Sequence, residues 1–549
     1  MKRLKPNFLI TVFFLSLLSP LLSFSQNTVG IIDNQEGTYG GYTLITKNLN
    51  TYLINNCGEI INQWTSDFNP GNAVYLLENG NLLRACKTEN TGINFGGVGG
   101  RIELRSWDND LLWEYNYSTP EERQHHDIYP MPNGNILMLA VSVLSNEEAI
   151  QAGRNPSNLT QSTLYNEHIL ELEPIGTNSA NIVWEWHIKD HLIQDFDINK
   201  DNYGIVENNP QLLDINYLGG SNGNSNWLHI NSLQYDESLD QIVLSSRLMS
   251  EIYIIDHSTT TEEAASNNGG IYGKGGDFLY RWGNPEVYKR GDENDKKLFG
   301  QHYPYVIPPG YPNEGKIILF NNGLNRSPSF SEVYILNPPQ DIPGFYNYEI
   351  GTTYGPETPD YIYQDPEDPT NFFSHFLSGA QMLPNGNILV CVGSQGYLFE
   401  INSENQKVWK YISPVGSDSI LSQGDDPLGS GNTLFRATKY GYNYPAFDGR
   451  DLTPELPIEN NPDLSQCDIL NIDDFELNMA SIYPNPVKDK LNVKSNQEVQ
   501  KLEIYNLLGK LVLENSNSNS LDMGHLTPNL YLLKIHSNNT ITTKKIIKQ

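Results

Sequence analysis

His125–Leu139 reads HHDIYPMPNGNILML: a histidine pair, an alternating run, an Asn-Gly turn and an apolar strand beyond it. Related stretches recur down the chain: HINSLQYDESLDQIVLSSR from His229, HYPYVIPPGYPNEGKIILF from His302 and HFLSGAQMLPNGNILVCVGS from His375. Two further copies keep the turn and strand without the histidine, AVYLLENGNLLRAC from Ala73 and DPLGSGNTLFRA from Asp426. Aligned after the turn, the six copies start strands at Leu82, Ile136, Ile242, Ile317, Ile388 and Thr433. Their spacing is irregular, with the longest insertion between the second and third. An internal repeat of this kind constrains the architecture before any local detail does.

A second unit alternates with the first, two strands that end in an aromatic pair. It reads YLINNCGEIINQW (Tyr52–Trp64), IELRSWDNDLLWEY (Ile102–Tyr115), ILELEPIGTNSANIVWEW (Ile169–Trp186) and LFEINSENQKVWKY (Leu398–Tyr411). An interrupted copy runs from IYIIDHS to Trp282, and a degraded one from VYILNPP to Tyr348. Alternation, β-branched and aromatic residues, and Asn, Gly and Asp punctuation mark strands rather than helices. Six inner and six outer hairpins predict an all-β fold, a six-bladed β-propeller over residues 42–455. The first hairpin is an outer one and the last an inner one, so the two ends are expected to share a blade and leave few free edges. Residues 27–41 read as a short lead-in.

The formal charge is −30 with a pI near 4.6. Such a chain offers no basic footprint for nucleic acid, and an anionic ligand would need a local cation against the global field. Residues 1–25 combine a basic head (Lys2, Arg3, Lys5), an apolar core and a small-residue exit. That is the pattern of a secretory signal peptide, and no later run is apolar and long enough for stable membrane insertion. Cys57, Cys86, Cys391 and Cys467 allow three pairings, and their spacing is not that of a zinc site. Two polar stretches, Ser145–Asn166 and Ile188–Asn226, read either as a lid or as surface decoration.

Residues 456–475 are a Pro- and Asp-rich linker. From Glu476 the character changes, with nine Lys against six Asp or Glu. Strand-length runs separated by Asn, Gly and Pro predict a small β-sandwich over 476–549. The stretches SIYPNPVKDKLNVKS, IYNLLGKLV, NLYLLKI and the Lys-rich end resemble the type IX secretion C-terminal sorting domain of Bacteroidetes, with Asn529 where that family usually has Gly. The resemblance implies the type IX secretion machinery as a partner. It also implies passage through the periplasm to the cell surface or the medium.

One histidine near a strand start is ordinarily a satisfied core or surface residue. Four at matching repeat positions, His125, His229, His302 and His375, suggest a shared site on the axis. Neutral imidazoles bind zinc, copper or iron, but no carboxylate or Cys recurs beside them, although Asp127 follows His126. The competing chemistry is nucleophilic and acid–base work on an anionic group, for which Arg247 at the end of LSSR is the candidate cation.

The set HHDIYPMPNGN, WLHINSLQYD with SSR, GQHYP, and SGAQMLPNGNILVCVGSQGYLFEI with FRATKYGYNYPAFDGRDLTP resembles the arylsulfotransferase family. The resemblance implies sulfuryl transfer from an aryl sulfate to a phenol on a six-bladed propeller, without nucleotide, cofactor or metal. By motif, His302 of GQHYP would be the nucleophile that becomes a sulfohistidine. His229 and Arg247 would hold sulfate oxygens, and His125 would serve acid–base chemistry or contact the sulfate. His126 is the alternative to His125. Asn231, Asn322 and His375 join His126 as candidate substrate-binding residues, His375 as channel lining. The N-terminal sandwich domain of enterobacterial members has no counterpart in the residues before the first repeat. An aryl-sulfate hydrolase and a non-catalytic surface binding propeller remain as alternatives. A quinoprotein dehydrogenase is disfavoured, because the aromatic repeat falls on outer strands rather than facing a cofactor.

Overall fold

The computed structural model describes residues 27–90, 92–219, 224–467, 480–495, 499–506, 509–537 and 540–549, and it is nearly all β. Residues 1–25, read as a signal peptide, lie outside the described residues, as do residues 468–479 of the segment joining the two sets of sheets. Between Gly30 and Gly441, six antiparallel sheets of four or five strands follow one another among the described residues.

Sheet I orders Thr438–Gly441, Gly41–Lys47, Asn50–Ile54 and Ile60–Thr65; sheet II runs Pro70–Leu76, Leu82–Lys87, Gly100–Arg105 and Leu111–Asn116. Sheet III runs Glu122–Pro130, Ile136–Ser145, Thr163–Ile175 and Ser179–His187; sheet IV runs Ile230–Asp236, Gln241–Ser246, Glu251–Asp256 and Tyr280–Trp282. Sheet V comprises His302–Val306, Ile317–Asn321, Glu332–Leu336 and Tyr361–Tyr363. Sheet VI comprises Gly379–Met382, Ile388–Val392, Tyr397–Ile401 and Lys407–Ile412, with Gly30–Asn34 added outside. The first-named strand of each is called inner below.

The Asn-Gly turns repeat in detail. In LENGN, MPNGN and LPNGN the glycine (Gly80, Gly134, Gly386) sits at φ of +85°, +89° and +92°. In each, its N–H donates to the carbonyl three residues back, at 2.8, 3.0 and 2.9 Å. The side chain of the preceding Asn (Asn79, Asn133, Asn385) accepts the N–H two residues on. A residue with a Cβ is poorly suited to that left-handed position, which is why the motif recurs as a unit.

The aromatic end of the outer unit has an equally repetitive role. Trp64 Nε1 donates to Ser106 O, Trp113 to Ser179 O, Trp186 to Gly276 O, Trp282 to Pro356 O and Trp409 to Asn56 O, all at 2.8–2.9 Å. Each bond leaves an outer strand and ends on the next sheet or a segment joining its strands, and the last runs from sheet VI to the turn between the third and fourth strands of sheet I. Sheet V uses Tyr361 Oη to Asn405 Oδ1, 2.5 Å, instead. Apolar clusters fill the spaces between consecutive sheets, as with Leu53, Trp64 and Val74 between I and II, and Phe320, Ala380 and Ile388 between V and VI. Ile45, Tyr52, Leu389 and Leu398 do the same between VI and I. The indole thus buries its ring in this core while its one donor is satisfied at the rim.

Three sequence expectations need correction. Sheet I takes one strand from the end of the chain, not a hairpin: Thr438–Gly441 pairs with Gly41–Leu44. The alternating run GYTLITK already occupies the second place, and Leu434 N bonds Gly393 O of sheet VI, so Thr433 does not begin a strand. The lead-in is partly a strand, because Gly30–Asn34 pairs with Lys407–Ile412. In sheet V the outer strand is Tyr361–Tyr363, whereas Gln340–Ile342 and Phe345–Tyr346 form a separate small hairpin. Of the three possible cysteine pairings the structure has Cys57–Cys467, leaving Cys86 and Cys391 buried and free.

Beyond the linker, Ala480–Tyr483, Lys490–Ser495 and Ser520–Asp522 form one sheet; Leu511–Ser516, Val499–Tyr505, Asn529–Ser537 and Thr540–Lys548 form another. Leu491, Leu502, Leu533 and Ile546 lie in one buried cluster shared by both.

A polar contact also joins neighbouring sheets. His257 Nδ1 meets Asp240 Oδ1 at 2.6 Å, and Nε2 meets Glu171 Oε2 of sheet III at 3.1 Å. Burial opposes the charge, but the hydrogen bonds and charges of the two carboxylates outweigh it and lift His257 to about 9. A raised folded-state value stabilises fully below the unfolded value near 6.5, and the gain is lost as pH rises through 9. His257→Gln should therefore cost on the order of 2–3 kcal/mol in denaturant unfolding near pH 6, and almost nothing above about pH 10. An equal loss at both pH values would refute the charged pairing.

Candidate active site

The inner strands of sheets III, IV and V share a defect at their upstream ends. Each ladder is broken there by a register shift, between Met138 and Ala140, Ile230 and Ser232, and His302 and Tyr305. At or beside each shift one non-glycine residue is left-handed: His126 at φ +50°, His229 at +52° and Tyr303 at +53°. Bulges re-aim side chains, and left-handed residues of this kind cost of order 1 kcal/mol or more each. The result is a histidine cluster. The rings of His126 and His229 lie 4.7 Å apart and those of His125 and His126 5.2 Å apart.

Phe95 covers this cluster, with its ring centroid 5.0, 6.2 and 6.0 Å from those of His125, His126 and His229. It sits in NFGGVGG, between the second and third strands of sheet II. Gly97 O accepts the His126 N–H at 2.8 Å, and Val98 makes a single bridge to His125. Gly97 has φ +82°, and a Cβ there would stand 2.0 Å from His126 Cε1. Only glycine lets the loop lie on the imidazole.

Each histidine is held differently. His302 Nδ1 lies 2.7 Å from Asn322 Oδ1. Asn322 spends its Nδ2 on Ser374 O (2.8 Å) and Leu377 O (3.0 Å), which fixes the amide with its oxygen toward the ring. His302 therefore carries its proton on Nδ1, and Nε2 keeps its lone pair. Burial, reinforced by the charge of Arg247 and opposed by the bond to Asn322, lowers its pKa to about 3. At His229, Asn226 Nδ2 meets Nδ1 at 2.7 Å, so Nδ1 accepts and Nε2 bears the hydrogen. Burial first, then Arg247 and the other histidines, holds His229 well below the ordinary imidazole value; burial, His229 and His125 do the same for His126.

His125 stands behind His126 and is fully buried. Its Nδ1 is 2.9 Å from His126 Nδ1, and its Nε2 is 2.9 Å from Glu167 Oε2, at an angle too oblique for a hydrogen bond. Glu167 Oε1 accepts the Ile230 N–H at 3.1 Å and so couples sheets III and IV. Arg247 is the cation of the group. Its backbone N–H bonds His229 O at 3.2 Å, and its charge reaches His126, His229 and His302. Burial lowers its own pKa, and no carboxylate among the described residues offsets this. An uncompensated, partly buried guanidinium beside neutral imidazoles is a site for an anion.

The structure thus brings together His125, His126, His229, His302 and Arg247. Asn231 is fully buried nearby; its Nδ2 donates to Gln301 O at 2.8 Å and its Oδ1 is unpartnered. The structure places the other two candidate substrate-binding residues differently. Asn322 is fully engaged by protein and positions His302. His375 is exposed between Phe373 and Phe376, and does not line a channel with the other three. Counting back from the strand after the turn misled, because the hairpin loop in sheet V is longer than the Asn-Gly turn in sheet VI. In register, His302 faces Phe320 as Gly379 faces Cys391, so Gly379 holds the equivalent place. Phe95, Glu167 and the Asp127–Arg436 pair were missed. The glycine-rich NFGGVGG was the one legible signal, since clustered glycines mark close backbone approach.

Asp127 turns the other way from His126. It is fully buried, and Arg436 clasps it with Nη2 on Oδ1 at 2.7 Å and Nη1 on Oδ2 at 2.9 Å. Leu233 N (3.1 Å) and Gln234 Nε2 (3.3 Å) also donate to Oδ2, and Arg436 Nη2 donates to Tyr75 Oη at 2.6 Å.

The bulged inner strands of a β-sheet protein thus gather a buried histidine cluster around an arginine that no carboxylate among the described residues compensates. The family model described as arylsulfotransferase (ASST) matches residues 23–419, and the chain belongs to that family. The matched span stops short of Phe435–Pro454, which had contributed to the resemblance read from sequence. The secretion system C-terminal sorting domain matches residues 481–549. The chain is therefore addressed to the cell surface or the medium by type IX secretion, and among the described residues no helix is long and apolar enough to cross a membrane. No curated protein matches the chain. Among solved structures, a protein of unknown function from Bacteroides caccae is 11% identical over 73% of this chain and 98% of its own, with a TM-score of 0.38. A Lactobacillus plantarum protein is 10% identical over 87% and 96%, with a TM-score of 0.33. Hydrazine synthase of Kuenenia stuttgartiensis is 11% identical over 53% and 68%, with a TM-score of 0.28.

Removing one partner of the Asp127–Arg436 pair leaves a buried charge uncompensated. Arg436→Met should lower stability by about 3–5 kcal/mol at neutral pH, measured by denaturant unfolding. The double variant with Asp127→Leu should recover much of that loss. A single variant as stable as the parent would show that the pair is not desolvated in solution.

Proposed function

We propose that the protein is a nucleotide-independent aryl-sulfate sulfotransferase. Its six sheets would be the blades of a closed propeller over residues 42–455, followed by the linker 456–475 and a β-sandwich sorting domain over 476–549. The ring reading is supported by the split sheet I and by rim hydrogen bonds that return from sheet VI to sheet I. The observation that carries the function is Arg247, a partly buried cation with no carboxylate partner beside three depressed histidines.

A sulfate ester resists anionic nucleophiles because its oxygens are negative. Neutral His302 Nε2 meets no such repulsion. It attacks sulfur in line with the aryl oxygen, forming an N–S bond as the S–O bond breaks, while its Nδ1–H stays on Asn322 and spreads the positive charge of the sulfohistidine. Arg247 faces the sulfate oxygens with a planar pair of donors. The departing aryl oxide leaves as the phenolate, stabilised by a hydrogen bond from the neutral His229 Nε2–H and by the charge of Arg247, and takes its proton from solvent. An acceptor phenol, having lost its proton to solvent, then attacks sulfur as the phenolate in the same His229 and Arg247 contacts while the S–N bond breaks and His302 returns to its neutral form. The net reaction exchanges one aryl sulfate and one phenol for another pair. His126 contacts the reacting group, and His125 with Glu167 orients it from behind. Phe95 offers its ring face to the aryl portion.

The kinetics should be ping-pong with a chromogenic aryl sulfate and an added phenol. Donor alone should add one sulfuryl group to the intact chain, seen by mass spectrometry, and His302→Asn should abolish both the adduct and transfer. Because the free-site histidines are neutral down to low pH, kcat/KM for the donor should hold flat from about pH 7 to about pH 5. An acid limb centred near 6.5 would place the essential group elsewhere. Phenol-independent release of donor would mark a hydrolase, and silence across donors a binding protein.

A further inference from the structure

The downstream ends of the six inner strands converge on a second cavity. It has a volume of about 360 Å³, and each inner strand contributes a wall: Tyr75, Tyr129, Tyr235, Tyr303, Gln381 and Tyr440. The histidines occupy the upstream ends of the same strands. The Asp127–Arg436 pair lies between, since Asp127 follows His126 and Arg436 stacks 5.1 and 4.5 Å from the ring centroids of Tyr75 and Tyr303. The cavity is therefore distinct from the histidine site.

Its chemistry is the reverse of that site. Its charged lining is acidic, Asp236 and Glu237, and it includes no lysine or arginine. Seven tyrosines surround it, among them Tyr305 and Tyr311. Several hydroxyls are already committed. Tyr75 Oη accepts from Gln234 and Arg436, Tyr305 Oη from Met382 N at 2.8 Å and Tyr440 Oη from Leu76 N at 3.1 Å, while Tyr235 Oη donates to Asp240 at 2.8 Å. Arg436 already stacks on Tyr75 and Tyr303, so the other rings supply the free faces and edges of the walls, and they are fixed before any ligand arrives. Tyr75 and Tyr129 meet edge to face at 5.7 Å, and Tyr303 and Tyr305 are tilted at 5.2 Å.

A cage of aromatic rings carrying acidic residues attracts a cation through the negative ring faces. The chain's overall charge of −30 adds to that attraction and opposes an aryl sulfate entering by this route. We propose that this cavity binds an organic cation, an alkylated ammonium group seated among the tyrosine rings with Glu237 at its mouth. It is a binding site separate from sulfuryl transfer, and it does not depend on that activity.

Choline and its uncharged isostere 3,3-dimethylbutan-1-ol provide the probe pair, titrated calorimetrically into the mature full-length protein. Choline should bind saturably and at least about tenfold more tightly than the isostere. Glu237 is exposed, so Glu237→Gln should fold normally; it should weaken choline binding about threefold or more and leave aryl-sulfate turnover unchanged. Tyr129→Leu, checked for an intact thermal transition, should weaken it further. His302→Asn should bind choline as the parent does, which separates failure here from failure of the transfer mechanism. Equal binding of the two probes, no saturation by about 100 mM choline, or indifference to both cavity substitutions would overturn the proposal.

Discussion

The clasp of Arg436 on Asp127 ties the molecule together at its centre. The carboxylate belongs to the inner strand of sheet III and receives donors from sheet IV, while Arg436 stands just before the terminal strand of sheet I. Through Tyr75 and the Tyr303 ring the same guanidinium reaches sheets II and V. A buried ion pair is weak evidence of net stability, because desolvating both charges offsets their attraction. What it supplies is position. Five sheets must present their atoms to one pair of side chains, so the inner strands cannot slide against one another without stranding a charge.

That constraint has a direct consequence for the histidines. Asp127 follows His126 in the chain, and both are buried, one aimed at Arg436 and the other at His229. A regular strand sends consecutive side chains to opposite faces. Here a left-handed His126 beside a register shift does something different: it lets three consecutive residues, His125 to Asp127, find three separate buried partners. The backbone strain is held in place by bonds on either side, from Gly97 O to the His126 N–H and from Arg436 to Asp127.

The sequence exposed the parts of this design that repeat. Leu82, Ile136 and Ile388 each begin a strand, because an Asn-Gly turn is a local instruction whose backbone requirement can be read directly; Ile317 begins one after a longer loop, and Ile242 is second in a strand that starts at Gln241. The aromatic pairs were legible as outer strand ends, though not the rim hydrogen bonds their indoles make. Thr433 failed because a turn-like stretch cannot report that its place beside the terminal strand is already filled. His375 failed for a related reason: residue counting ignores loop length, and only pairing with the neighbouring strand shows that Gly379 stands where His302 does. Asn322 was found, but its role was not, since the two carbonyls that turn it into a positioning residue come from Ser374 and Leu377, more than fifty residues on.

The contrast between Arg436 and Arg247 separates structure from function in this protein. Both are removed from water to a large degree, and both sit near the axis of the inner strands. Arg436 is matched by a carboxylate, rings and a phenol oxygen, and its pKa is pushed above the ordinary value despite burial. Arg247 lacks such a match, and burial lowers its pKa. A fold selected for stability alone would supply a carboxylate or expose the side chain, because an unmatched charge away from water is costly. Instead the groups placed around Arg247 are imidazoles that burial, reinforced by its charge, keeps neutral. Neutral imidazoles leave the guanidinium uncompensated and keep lone pairs available. In the proposed reaction the counter-charge comes from the sulfate ester, which would dock beside the free Nε2 of His302.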